Sequence, residues 1–195
     1  MKFFKKFEYN APVTLTFALI SLISLLLGFI TNLKSTELLF MTYRSGLLNP
    51  MTYVRLFTYC LGHANWEHYI GNMSYLLLLG PMVEEKYGSK KMLIMIIITA
   101  AIGGILNNIF FPNTALCGAS GIVFMLIVLS SATSVESGHI PLTLVLILVI
   151  YLGSEIYNAI FVTDSISQFA HILGGICGAF FGLTYNQGKK QTANN

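Results

Sequence analysis

From Val13 to Ile30 the chain runs without a single charged residue, reading VTLTFALISLISLLLGFI. A helix rises about 1.5 Å per residue and a bilayer's hydrocarbon core is about 30 Å thick, so roughly 20 apolar residues cross it and this run is long enough. Five further runs follow. A hydropathy window marks six spans at about 12–30, 66–83, 92–110, 119–134, 140–158 and 167–185. Composition agrees, since 55% of the 195 residues are hydrophobic and 10% charged, with a mean hydropathy of +0.71. An ordinary soluble domain carries about 25% charged residues. The expected fold is an all-α membrane protein, a six-transmembrane-helix bundle at 12–185 between cytoplasmic ends 1–11 and 186–195.

The opening KFFKK followed by apolar residues has the order of a signal peptide. The run is longer than an ordinary signal core, no small-x-small site closes it, and Pro12 suits the first turn of a lasting helix, so the expectation is a retained span. The lack of an evident transit peptide then favours a plasma membrane, of a prokaryote. Three scattered cysteines without a CxxC pair indicate neither a disulfide framework nor a zinc site. No basic run interleaved with aromatics points to nucleic acid.

The connection 31–65 is the longest between spans, greasy and nearly uncharged. Such a loop is expected to fold against the bundle or dip into the interface. With the N-terminus inside, Lys2, Lys5, Lys6, Lys86, Lys90, Lys91, Lys189 and Lys190 are all cytoplasmic, leaving Lys34, Arg44 and Arg55 outside. Spans two, four and six then all begin near the outer face. Those three beginnings hold His63, His68 and Asn72, then Ser120, then His171.

Each has a bland explanation. A lone serine in a membrane helix is usually a packing contact. Here, however, Gly118 and Gly121 flank Ser120 and its neighbour, letting backbone approach, and a helix N-terminus offers free N–H groups to a developing oxyanion. Gly174, Gly178 and Gly182 recur on the face of His171 and allow a neighbouring helix so close that the imidazole can reach Ser120 as its general base; the bland account is packing alone. His68 and Asn72 are at i and i+4, both able to donate to negative charge. The string HANWEHYIGN has neither HExxH nor HxxEH spacing, so no metal is expected. Asp164 is read as a solvated loop charge rather than a third catalytic member. A transporter would place paired charges or broken helices at mid-membrane, and these polar residues gather towards one face instead.

In order and spacing these residues resemble the rhomboid intramembrane serine proteases over nearly the whole chain. The resemblance rests on GASG at 118–121, AHxxGxxxG at 170–178, the His63, His68, Asn72 string, Arg55 in YVRLF and GPMVEEKYG at 80–88. It implies a catalytic dyad of Ser120 and His171, with His68, Asn72 and the Ser120 backbone N–H as oxyanion donors. His63, Arg55, Glu84, Gly118, Gly121, Phe124, Gly174 and Gly178 take supporting places. It further implies an acyl-enzyme, no cofactor, and transmembrane protein substrates held in the lipid bilayer. Phe124 stands where many members have tyrosine, and Val54 where tryptophan often precedes the arginine. The alternative is a rhomboid-like scaffold or chaperone that binds transmembrane segments without cutting. Span five, rich in Leu, Val and Ile, is the expected lipid-facing gate, and the oligomeric state is left open.

Overall fold

The computed structural model describes residues 8–132 and 165–192, together with 142, 145, 146, 149, 150 and 153 between them. The described chain is helical: α1 (Pro12–Ile30), α2 (Lys34–Leu39), α3 (Pro50–Thr58), a short 3-10 turn (Tyr59–Leu61), α4 (Trp66–Tyr87), α5 (Ser89–Phe110), α6 (Ser120–Ala132) and α7 (Ser165–Thr192). Among the described residues α1 and α5 are long and apolar enough to cross a membrane, and α6 is a shorter apolar helix. Most of the fifth expected span, 140–158, and Asp164 lie outside the described residues.

Where hydropathy and helix disagree, polar residues are the reason. The second window stops near 83, yet α4 runs on to Tyr87 because Glu84 is satisfied inside the protein. Its two carboxylate oxygens accept from the N–H groups of Val13 and Thr14 at 2.9 and 3.0 Å and from the Thr14 hydroxyl at 2.8 Å. A helix begins with N–H groups that have no partner within it, so a carboxylate of α4 caps α1, while Pro12 at its first turn has no N–H to satisfy. Gly80 brings the two helices together, since a Cβ there would lie 2.6 Å from the Thr14 methyl. One residue, Gly88 at φ +85°, then separates α4 from α5.

The loop between α1 and α4 is folded. Asn49 caps α3 by accepting from Met51 N–H at 3.0 Å, with Pro50 at the first turn. Arg55, 2% exposed, turns inward, donating to the Tyr43 hydroxyl at 2.6 Å and to Ser45 Oγ at 2.8 Å, and lies over the Tyr43 ring. Gly104 lets α3 rest on α5, where a Cβ would meet the backbone and side chain of Leu56 at 3.2 to 3.3 Å.

The irregular segment from Phe111 to Ala119 must satisfy its backbone without regular structure, and this folded loop supplies partners. Thr42 and Leu116 exchange both backbone hydrogen bonds at 2.9 and 2.8 Å, and Gly118 N–H donates to the Tyr59 carbonyl at 3.0 Å. The segment thereby delivers Ser120 to the start of α6 at a fixed height.

α6 and α7 make the most intimate helix pair among the described residues. A Cβ on Gly174 would overlap the Gly121 carbonyl, and one on Gly178 would overlap the Met125 carbonyl. The small residues therefore let backbone meet backbone. Around this seam Leu76, Met92, Met95, Met125, Leu126 and Leu129 are fully buried.

Candidate active site

The site begins with the cap of α4. Asn65 Oδ1 accepts from His68 N–H at 2.8 Å, fixing the helix start and hence where His68 and, one turn on, Asn72 project. Tyr69 ties the same turn to α1 through its hydroxyl, which donates to the Ala18 carbonyl at 3.2 Å.

His63 sits behind His68. It is fully buried, its Nδ1–H donates to the Leu61 carbonyl at 3.2 Å, and its ring meets His68 edge-on at 5.0 Å and Tyr69 at 5.4 Å. Burial, reinforced by the neighbouring His68, holds its pKa down at about 4, so it is a neutral wedge at neutral pH. Gly118 closes on His68 from the other side. With φ at +124° and only 2.5 Å from a would-be Cβ to His68 Nε2, the position excludes a side chain on both counts.

Ser120, two residues later, opens α6, and the first helical backbone bond reaching back across it is Val123 N–H to the Ala119 carbonyl at 2.9 Å. From α7, His171 stacks on Phe124 with ring centroids 4.2 Å apart and planes 10° from parallel. That contact fixes the plane of the imidazole one turn beyond Ser120, using only an aromatic face. The position's lack of a hydroxyl does not disturb it.

Ser120, His171, Phe124, His68 and Asn72 all line one cavity of about 550 Å³ between α4, α6 and α7. Asn72 is 7% exposed, and its Nδ2 has no hydrogen-bond partner among the described residues. A buried amide donor left unsatisfied is costly, so a donor kept so on a cavity wall is suited to a transient acceptor. The supporting residues take other places. Gly121, Gly174 and Gly178 form the α6–α7 seam, Arg55 orders the loop, and Glu84 caps α1 well away from the cavity wall.

Asn65, Glu67, Gly71, Tyr75, Val123 and Ile127 also line the cavity and were not anticipated. Helical period could have found part of this set: Gly71 and Tyr75 lie three and seven residues after His68, and Val123 and Ile127 lie three and seven after Ser120.

A family model described as the Rhomboid domain matches residues 50–188, most of the chain and all of this site. The chain belongs to the rhomboid family. Rhomboid-related protein 1 of Caenorhabditis elegans is 30% identical over 143 residues, covering 68% of this chain and 40% of that protein. Rhomboid-related protein 2 of Mus musculus is 28% identical over 194 residues, covering 89% of this chain and 64% of the relative. Rhomboid protease GlpG of Haemophilus influenzae is 31% identical over 70 residues, 36% of each chain. This rhomboid thus spans 40% and 64% of the lengths of the worm and mouse relatives it matches. Family and apolar helices together make it a membrane protein.

Proposed function

We propose that this rhomboid is an intramembrane serine endopeptidase that cuts transmembrane segments of membrane proteins near the outer leaflet. The observation carrying this reading is the shared cavity: Ser120, His171, His68 and Asn72 come from three helices to line one space, with the Asn72 Nδ2 donor unsatisfied. The printed name of the Haemophilus influenzae relative, a protease, supports it.

In the proposed reaction Ser120 Oγ attacks the scissile carbonyl as His171 takes its proton. The resulting oxyanion accepts from the Asn72 amide, from His68 and from the Ser120 backbone N–H. His171 returns the proton to the leaving amine, and water, activated by the same imidazole, hydrolyses the acyl-enzyme. Stacking on Phe124 keeps the ring aligned, so a dyad suffices without a carboxylate. The cavity's polar wall keeps water beside the reacting bond while the helices exclude lipid.

The accompanying topology is six spans at 12–185, both ends cytoplasmic, in a prokaryotic plasma membrane. The chloroplastic relative from Arabidopsis thaliana names the competing location. The test compares cleavage of a model transmembrane substrate in liposomes by wild type, Ser120→Ala and His171→Ala, with a chelator arm. Cleavage abolished in both variants and indifferent to chelation is expected. Cleavage by Ser120→Ala overturns the mechanism, and an inert wild type across several substrates favours a binding scaffold.

A further inference from the structure

A second large cavity, of about 720 Å³, opens on the other side of the folded loop, where α3 leans on the far end of α5. Its walls are mixed. Arg44, Ser45, Thr52 and Asn108 are its polar lining and Leu56, Ile105 and Ile109 are apolar, with Ile109 one turn after Ile105 on the same face of α5. Ile105 is thus about 8 Å from the end of α5 along the helix axis.

The rim is apolar and open: Ile105, Ile109 and Tyr53 are between 44% and 60% exposed. In a membrane protein such a hollow beside a spanning helix faces acyl chains rather than water. The exposed Arg44 contributes a cation to the lining, and no carboxylate is among the described residues that line the cavity. Ser45 and Thr52 are already engaged with Arg55, with each other and with the Gly46 carbonyl, so Arg44 is the charged group of the lining left to a ligand. A guanidinium sharing a cavity with an apolar slot complements one kind of molecule, an anionic head joined to a hydrocarbon tail. Arginine's planar fork suits a phosphodiester in particular.

We infer that this cavity is a phospholipid site, in which Arg44 binds the phosphodiester and one acyl chain lies along Leu56, Ile105 and Ile109. The bound lipid fills the hollow between the folded loop and α5, bracing the loop that pairs with the segment leading to Ser120. This site is separate from the proposed proteolytic one and stands or falls independently of it.

Native mass spectrometry of the full chain, released from detergent with dioleoylphosphatidylglycerol, tests the site. Arg44→Gln removes the phosphate contact, and Ile105→Trp fills the slot at a position with room for a larger side chain. Dioleoylglycerol and inorganic phosphate serve as probes lacking the head or the chains, and size-exclusion profiles report folding. One phospholipid retained by wild type is expected, with retention reduced roughly tenfold in Arg44→Gln, the scale of losing one charged hydrogen-bonding partner. Ile105→Trp should reduce it as well, and neither partial probe should substitute. Equal retention by wild type and both variants, or dioleoylglycerol bound as well as the phospholipid, overturns the proposal, as does occupancy by phosphate alone. Should Ile105→Trp fail to fold, Arg44→Gln, changed at an exposed side chain, still decides.

Discussion

In the proposed mechanism Asn72 is a side chain held for chemistry at little structural benefit. Its Nδ2 is buried and unpartnered, so deleting the amide leaves no donor or acceptor stranded through loss of that atom. Asn72→Ala is therefore expected to leave the thermal midpoint in detergent close to wild type while lowering kcat by about 10²- to 10³-fold, the usual consequence of removing one oxyanion donor. Equal loss of stability and activity would mark Asn72 as structural. Phe124 gives a second residue-scale lesson. Tyrosine and phenylalanine present the same ring face, and the observed stack at 4.2 Å uses that face alone.

Between elements, what counts is how closely backbones approach. Gly174 lies one turn after His171, and its Cα faces the Gly121 carbonyl beside Ser120, so Gly174→Ala must push α6 and α7 apart. A stability cost of about 1–3 kcal/mol is expected, with cleavage falling further than stability because the two halves of the proposed dyad separate. Gly175→Ala is the control, since its Cβ would meet Val128 Cγ2 at an ordinary 3.6 Å and should change neither. Glu84 holds a different joint. Glu84→Ala strands the N–H groups of Val13 and Thr14 and the Thr14 hydroxyl, and about 3 kcal/mol of lost stability is expected in thermal unfolding, with activity per folded molecule retained. A selective loss of activity instead would place Glu84 in the catalytic machinery.

These elements also mark what the sequence could disclose. Contacts with helical period were legible: His68 with Asn72 four apart, and His171 with Gly174 and Gly178 along one face. Contacts across long separations were not. The cap of α1 by Glu84 joins residues 71 and 70 apart, and nothing local at Val13 or Thr14 announces it. The Thr42 to Leu116 pairing is equally silent, because an isolated bridge has no alternation to betray it. Helix ends shifted for a related reason, hydropathy seeing the charge of Glu84 but not its partners.

At the scale of the whole molecule the proposed topology sorts the basic residues by side, and that division makes orientation testable. Gly46 tolerates a side chain, a Cβ there meeting nothing within 4 Å. With the native cysteines changed to serine, Gly46→Cys is expected to react with an impermeant maleimide from outside intact cells and Asn195→Cys only after permeabilisation. The reverse pattern would invert the topology and carry the proposed cut to the inner leaflet.

The glycine seam has a mechanical consequence. Where the two helices touch through bare backbone no side chain can change rotamer to let them slide, and the Phe124–His171 stack and Val128 fill the contact beside it. Moving one against the other breaks Gly121, Met125, Gly174 and Gly178 out of register together. The α6–α7 pair therefore behaves as a stator, holding Ser120 and His171, the proposed nucleophile and base, at constant spacing. If the proposed substrate is a polypeptide, the displacement that admits it belongs to the parts arranged around this pair.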